Sequence, residues 1–282
     1  MYVLEQGIEG SVVLRERLGC PTVYLDHWAL NDIALNDRLR NRFVTAISER
    51  GGTLRLSLIN ITEMMRQEDD SEIEAILALV DSVDASLINA HITEVIRLER
   101  ELRYGNSGYY GNPSSLPEVI HCYLVASNWP DSVRVSELLR IVVGEAFTRQ
   151  YEQNCKDRFD RLKRLVDTAR ADEQVVKRSR RTWNKGKQKG DAGMPPTREL
   201  ARMLCALPVL NKEMKLTRND FDDMFHAIVP VAYCDIVLLD KRWRAFVNQT
   251  GLQHPRVAMV FDSAGLEDFF ETLENHDFLD RV

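Results

Sequence analysis

Four acidic side chains stand where carboxylates could act together on a metal ion. Asp26 and Asp240 each come directly after a short apolar run, whereas Glu63 and Asp223 lie in segments with helical patterning. Because sites in open parallel sheets form outside the carboxyl ends of the strands, we expect Asp26 and Asp240 to approach each other. Crowded carboxylates raise one another's pKa, and a divalent cation keeps them ionised together. An all-oxygen set favours Mg²⁺ or Mn²⁺, which suits phosphodiester hydrolysis.

The elements that must position these acids follow from the apolar pattern. Residues 22–25 and 54–58 are β-prone runs, each followed by a helical segment, and residues 236–239 and 257–261 repeat this alternation before an amphipathic segment at 266–273. Strands separated by helices imply parallel pairing with right-handed crossovers. The two ends of the chain are therefore predicted to be halves of one α/β sheet, with core segments at 1–70 and 208–282.

Two of the acids have a further interpretation as helix-terminal residues. A helix capped by Asn60 or Thr62 would carry Glu63 in its first turn, where an acid also complements the helix dipole. Asp240 is expected to cap a helix beginning at Lys241, and capping does not exclude metal binding. A pattern in the region of residues 29–50 predicts one helix that ends at a glycine pair.

The middle of the chain, residues 71–207, is mainly helical in pattern, with one possible short strand at 86–90. We interpret it as an insertion between the two core halves. A first loop signal, at 105–113, contains Tyr109 and Tyr110, which either pack the loop or stack on bases.

A second predicted loop, from residue 179 to 196, overlaps a basic arm spanning residues 177–189. Trp183 lies within this arm, so phosphate contacts with stacking on an unpaired base are expected, although a solvated loop is the plain alternative. Its glycine and lack of apolar periodicity predict a mobile segment that orders on nucleic acid. The basic residues of the arm are Lys177, Arg178, Arg180, Arg181, Lys185, Lys187 and Lys189.

Four short strings resemble the successive motifs of PIN-domain nucleases. They are Tyr24-Leu-Asp26, the run from Leu56 to Glu63, Asp223-Met-Phe-His226, and the run from Tyr233 to Asp240. The resemblance implies a three-layer α/β/α fold with a central parallel sheet, here interrupted by the helical insertion. The chain departs from the family's small toxin members in that insertion and in Leu239, where threonine or serine is common.

The resemblance also implies an activity: endonucleolytic cleavage, of RNA more than DNA, by Mg²⁺ or Mn²⁺ held on Asp26, Glu63, Asp223 and Asp240. Whether one or two ions bind is left open. Since the family supplies toxins and defence effectors that partners restrain, a microbial toxin-like role with an inhibitory or activating protein partner is expected. The rival hypothesis is a catalytically inactive nucleic-acid-binding or assembly module with the same fold.

Five further residues are assigned supporting or uncertain roles. Asp235 either binds metal or solvates the entrance of a strand, and Asp220 shares a helix face with the acid three residues on. His226 could be a general base, but support of a neighbouring carboxylate is favoured. Ser57 and Asn60 are expected to orient the glutamate of the group or to contact phosphate.

Composition excludes several classes of protein. The chain of 282 residues is 44% hydrophobic, enough for a large core, and its net charge of -6 argues against a surface coated in basic residues. Five scattered cysteines without a CxxC pair indicate neither a disulfide framework nor a structural zinc site. With no signal-like or membrane-spanning apolar run, a cytoplasmic protein without membrane contact is expected, and homo-oligomerisation stays open.

Overall fold

A computed structural model describes residues 2–6, 12–64, 66, 69–103, 113–115, 134–142, 145–188 and 196–278. The strands are β1 (Tyr2–Gln6), β2 (Val12–Glu16), β3 (Thr22–Leu25), β4 (Thr53–Ser57), β5 (Ala85–Ile88), β6 (Ile236–Leu238) and β7 (Met259–Phe261). The helices are α1 (His27–Leu35), α2 (Asp37–Glu49), α3 (Leu58–Met64), α4 (Asp70–Asp81), α5 (Ile92–Arg103), α6 (Val135–Val142), α7 (Glu145–Ala171), α8 (Glu173–Gln188), α9 (Pro196–Leu204), α10 (Ala206–Leu210), α11 (Arg218–Tyr233), α12 (Lys241–Thr250) and α13 (Leu266–Asn275).

The central sheet has five strands in the order β5-β4-β3-β6-β7, and every pair of neighbours is parallel. β3, from the start of the chain, pairs directly with β6, from its end. The prediction of an α/β fold whose two ends share one parallel sheet is confirmed. β1 and β2 form a separate antiparallel pair that the sequence pattern did not predict. The described helices all lack the combination of length and hydrophobicity that a membrane-spanning helix needs.

Alternating side chains of the strands supply a hydrophobic core on each face of the sheet. On β3, Val23 and Leu25 lie in the core formed with α1, α2, α4, α6 and α13, while Tyr24 faces the other core. That second core contains side chains from α5, α8, α9, α10, α11 and α12. Helices on both faces make the architecture compatible with three layers, α/β/α.

The segment predicted as an insertion contributes to the sheet and to both cores. The short strand expected near 86–90 is present as β5, which pairs with β4 at the edge of the sheet. Leu200 of α9 and Trp183 of α8 are buried in the second core. The central sheet therefore takes one strand from beyond residue 70.

Two predicted elements differ in the structure. The single helix expected over 29–50 is divided into α1 and α2 at Asn36, whose side chain accepts from the backbone N–H groups of Arg38 and Leu39. The loop expected from residue 179 is helical as far as Gln188, the end of α8. The remainder of that loop, 189–195, and residues 105–112 of the first predicted loop lie outside the described residues.

Candidate metal centre

Three carboxylates converge at the carboxyl ends of the central strands. Asp26 follows β3, Asp240 follows β6 after one residue, and Asp223 lies on α11. One oxygen atom from each lies within 4.8 Å of the other two. Three of the four acids named from the sequence are thus brought together, at the sheet edge where parallel strands place their sites.

The strand-end acids, Asp26 and Asp240, occupy equivalent positions in neighbouring β-strand-to-helix units. Asp26 caps α1 with φ -61° and ψ 160°, and Asp240 caps α12 with φ -61° and ψ 157°. The Asp26 carboxylate accepts from the His27 N–H at 2.7 Å, and that of Asp240 accepts from the N–H of Trp243 at 2.9 Å. The Asp240 N–H also donates to Asp26 at 3.3 Å. Backbone donors therefore fix both carboxylates before any ion binds, and the capping prediction for Asp240 is confirmed.

Glu63 belongs to a second group that shares Asp26 with the first. Ligand atoms of Asp26, Glu63 and His226 also lie within 4.8 Å of one another. Nε2 of His226 is 3.0 Å from Glu63 Oε2 and 3.7 Å from Asp26 Oδ1. Glu63 stands near the end of α3, which begins at Leu58, so its predicted place in a first helical turn is wrong. His226 is the neighbour of Glu63, as the supporting role expected for it requires.

Burial and mutual repulsion shift the protonation of Asp223 and Asp26. Burial raises the pKa of Asp223 to about 8, with the negative charges of Asp26 and Asp240 adding to the rise. Burial also raises the pKa of Asp26, although the positive charge of His226 opposes it. Without a cation, a proton on Asp223 relieves the repulsion within the group.

His226 and Glu63 stabilise each other's charged forms. Burial pushes the pKa of Glu63 upward, but the charge and hydrogen bond of His226 outweigh burial and leave that pKa lowered. Burial pushes the pKa of His226 downward, and the carboxylates of Glu63 and Asp26 overcome it and raise the value to about 9. An imidazolium therefore compensates one side of the acidic centre.

Ser57 and Asn60 are completely buried, so the prediction that they contact phosphate is wrong. Asn60 does not cap a helix either, because α3 already begins at Leu58. Its Nδ2 donates to the Leu25 carbonyl at 3.0 Å, and its Oδ1 accepts from the Ser57 N–H at 2.9 Å. The two side chains hold the end of β4 against the end of β3.

Tyr24 is a residue of the site that the sequence reasoning missed. Its hydroxyl lies 2.8 Å from Ser57 Oγ and also bonds Nδ1 of His226. The available signal was strand alternation: residues i and i+2 share a face, so Tyr24 lies on the same side of β3 as Asp26.

Two of the acids suggested from the sequence have other partners. Asp235 lies at the amino end of β6 and accepts from the Thr22 N–H and hydroxyl, both at 2.8 Å. This places it at the opposite end of the strand from the cluster, so it is no ligand there. Asp220 forms a capping box with Thr217 at the start of α11 and an ion pair with Arg242. Both carboxylates are held by structural contacts within the fold.

The basic arm is largely one face of α8. Trp183 is only 9% exposed and packs in the second core, so the prediction that it stacks on a base is wrong. The reason is that α8 packs against other helices of the second core through Trp183, a contact that the surrounding charge conceals in the sequence. The side chains of Lys185 and Lys187, and the whole of Lys189, lie outside the described residues. Four cations of the arm are exposed on α8, namely Lys177, Arg178, Arg180 and Arg181.

The helix that carries the exposed cations packs against a helix that begins at the acidic centre. α8 packs against α12, and α12 begins immediately after Asp240. The positive charge of α8 therefore lies on the side of the sheet that holds the second core. It is next to α12, the helix that begins after Asp240.

No protein-family model matches this sequence, and no match emerges among curated proteins or solved structures.

Proposed function

We propose that this protein is a metal-dependent nuclease, acting as an endoribonuclease with Mg²⁺ or Mn²⁺ at the acidic centre. The observation that carries the proposal is the approach of Asp26, Asp223 and Asp240 to within 4.8 Å of one another. Hard divalent cations take oxygen ligands, at about 2.0–2.1 Å for Mg²⁺, and two oxygens on one such ion lie at most about 4.2 Å apart. Oxygens within 4.8 Å of one another are near the separation at which they would share a single ion. The raised pKa of Asp223 is what crowded carboxylates show when no cation balances them.

Asp26, Asp223 and Asp240 would hold the ion, with Glu63 and His226 beside it. Bound there, a divalent cation lowers the pKa of water and offsets charge on the leaving oxygen of a phosphodiester. The protein's own side chains contribute the position and the charge of the carboxylates. Backbone N–H groups fix Asp26 and Asp240. On binding the ion, Asp223 would give up its proton, and Glu63, kept ionised by His226, would accept a proton from water.

A polyanionic substrate is supported by the exposed cations of α8. A chain with a net charge of -6 and an acidic centre repels nucleic acid at long range, so a local positive surface has to bring the phosphates in. The preference for RNA rests on the resemblance of the four motif strings to PIN-domain nucleases. A toxin or defence-effector role, with a protein partner that inhibits or activates the enzyme, rests on the same resemblance.

One observation favours the rival function, a nucleic-acid-binding or assembly module without turnover. The His226 imidazolium already compensates Glu63 and Asp26, at 3.0 and 3.7 Å from their oxygens. A centre neutralised in this way by its own side chain and by a proton on Asp223 would need no ion to be stable.

The deciding experiment compares the parent with Asp26→Asn and Asp235→Asn in Mn²⁺ or in EDTA, using mixed RNA. We expect the parent to cut only with metal, and Asp26→Asn to be inactive but folded, since it keeps volume and relieves repulsion. Asp235→Asn is the matched control, a buried aspartate on the same sheet but at its other end. It should cut like the parent.

Each alternative gives a distinct result. Cleavage that persists in excess chelator would exclude the metal mechanism. Absence of both cleavage and Mn²⁺ binding, measured by calorimetry, would establish the inactive module instead. Parent-like cutting by Asp26→Asn would show that the active centre lies elsewhere.

A further inference from the structure

Two side-chain contacts join α3, with the turn that follows it, to α11 beside the acidic centre. In the inner contact, Glu63 Oε2 lies 3.0 Å from Nε2 of His226. In the outer contact, Nη2 of Arg66 donates to Asp222 Oδ2 at 3.1 Å. The Arg66 N–H also donates to the Glu63 carbonyl at 3.1 Å, so a tight turn keeps these two residues together.

The spacing of the four residues along the chain makes the two contacts neighbours. Asp222 and His226 are four residues apart on α11, and residues four apart lie on one face of a helix. Glu63 and Arg66 are three residues apart. The acid comes first in both segments, so antiparallel pairing sets each acid opposite the basic residue of the other segment.

The outer contact, between Arg66 and Asp222, crosses the edge of the central sheet. Met64 of α3 lies in the core on one face, whereas Ile228 of α11 lies in the second core. The side chains of the pair are 25% and 17% exposed, against 0% for His226 in the inner contact. The outer contact therefore links α3 to α11 at the surface, over the carboxyl ends of the strands.

Glu63 and Asp223 depend on such contacts more than the other two acids do. Backbone N–H groups fix Asp26 and Asp240 at the ends of paired strands. Glu63 and Asp223 project instead from helical segments, whose separation is set by the side chains between them. Asp222 directly precedes Asp223 in the chain, so a contact that holds Asp222 also restrains its neighbour.

We propose that Arg66 is a positioning residue, which holds α3 against α11 through Asp222 and so sets where Glu63 and Asp223 stand in the centre. This role rests on the proposed nuclease function, in which the two carboxylates serve the ion and its water. Ion pairs near the surface add little to folding stability, so the effect is expected on metal binding and turnover. Partners that orient metal-site groups commonly change metal affinity by about 10–100-fold when removed.

The test compares Arg66→Gln with Asp222→Asn, because charge and position predict different outcomes. If only charge matters, removing a cation beside the centre should strengthen Mn²⁺ binding, and removing an anion should weaken it. If the contact matters, its loss should weaken binding in both variants. We expect both to bind Mn²⁺ about 10-fold more weakly than the parent in calorimetry, and to lower kcat with KM for RNA unchanged.

The double variant Arg66→Gln/Asp222→Asn isolates the contact itself. Since either single change already breaks the ion pair, the double change should weaken Mn²⁺ binding no further than the single ones. Arg140→Gln is the matched control, because Arg140 of α6 pairs with Glu74 of α4 at 3.4 Å and neither helix carries an acid of the centre. It should match the parent.

Nuclear magnetic resonance of the His226 ring reports on the inner contact without metal or substrate. The chain has six histidines, and the His226 signals are those lost in His226→Gln. We expect Arg66→Gln and Asp222→Asn to shift these signals in the same direction, because both changes loosen α3 from α11. The double variant should match the single ones, and Arg140→Gln should leave the signals in place.

Stronger Mn²⁺ binding by Arg66→Gln, or additive effects in the double variant, would overturn the positioning role in favour of charge alone. Unchanged Mn²⁺ binding with a raised KM would overturn it too, and would make Arg66 a contact of the substrate. If Arg66→Gln does not fold, Arg66→Met keeps the stem of the side chain, removes the charge and carries the same prediction. A parent that binds no Mn²⁺ refutes the metal-dependent nuclease, and the His226 signals then test the role of Arg66 by themselves.

Discussion

At Asp223, burial and two neighbouring carboxylates act on the same side chain, and both favour its neutral form. An asparagine there keeps the shape and removes the charge. We expect Asp223→Asn to raise the melting temperature of the metal-free protein at pH 8 and above and to abolish Mn²⁺ binding. Differential scanning fluorimetry in EDTA, then with added Mn²⁺, measures both effects. Asp222→Asn is the control, since Asp222 pairs with Arg66 at 3.1 Å and should gain nothing from neutralisation.

The same protonation predicts how stability varies with pH. The folded pKa of Asp223, about 8, lies above the unfolded value of roughly 3.9, and that of His226, about 9, lies above roughly 6.5. Over both intervals the folded state binds more protons than the unfolded state, so these groups make stability fall as pH rises. The melting temperature in EDTA should therefore decrease from pH 6.5 to 9. Asp223→Asn should flatten the fall below pH 8, and a rise over this range would contradict the assignment.

For single residues, the sequence predicted where a side chain lies in the fold better than it predicted which groups that side chain contacts. An acid that ends an apolar strand is located by the sheet itself, which is why Asp26 and Asp240 were found. Asp235 stands at the entrance of a strand, at the opposite end of the sheet from the carboxyl ends where sites form, and the structure shows Thr22 as its partner. The Tyr24 hydroxyl meets His226 across 202 positions of sequence, a contact that no local pattern encodes.

Among the elements, α8 is where nucleic-acid binding is most directly tested. Replacing Lys177, Arg178, Arg180 and Arg181 with glutamine should weaken RNA binding, since each lost phosphate contact removes about 0.7 of a released counterion from single strands. The slope of log affinity against log salt should flatten accordingly. Single-turnover cleavage at saturating RNA should persist, because these side chains lie on α8 and not among the carboxylates. Fluorescence anisotropy over a salt series measures the slope.

A matched set of exposed arginines controls for net charge. Arg38 on α2 and Arg97, Arg100 and Arg103 on α5 can be changed to glutamine together, with the same loss of positive charge. This variant should keep the parent's salt slope. Equal slopes for the α8 variant and the parent would assign the basic face to a protein partner instead.

The elements themselves were predictable where their pattern is local. Short apolar runs gave four strands of the central sheet to within about two residues, and a glycine pair marked the end of α2. α8 was missed because, among its described side chains, Trp183 alone is buried and charged residues surround it. The burial of Trp183 depends on packing against helices such as α12 and α10. The dense charge and the one glycine of this segment indicated a loop. Packing against the rest of the protein makes it a helix instead.

For the molecule as a whole, the two cores on either side of one sheet predict a single unfolding transition. Leu200 of α9 is completely buried in the second core, whereas Leu165 of α7 is 58% exposed. Leu200→Ala should cost about 2–5 kcal/mol and move circular dichroism and tryptophan fluorescence together in urea, with Leu165→Ala close to neutral. Two separated transitions would instead make residues 71–207 an independent unit.

In the proposed metal centre, the spacing of the strands would set the distance between two of the ligands. Asp26 and Asp240 follow hydrogen-bonded neighbours, β3 and β6, and share nearly the same backbone angles, so their separation is set by the sheet. Neighbouring strands lie about 4.7–4.9 Å apart, more than the roughly 4.2 Å that two Mg²⁺–oxygen bonds span in line, so the two side chains would lean toward a shared ion. No single substitution can change that gap, because every backbone pair of the sheet maintains it. In the proposed centre, selectivity among ions of different radius would then depend on the helical side, at Asp223 and Glu63.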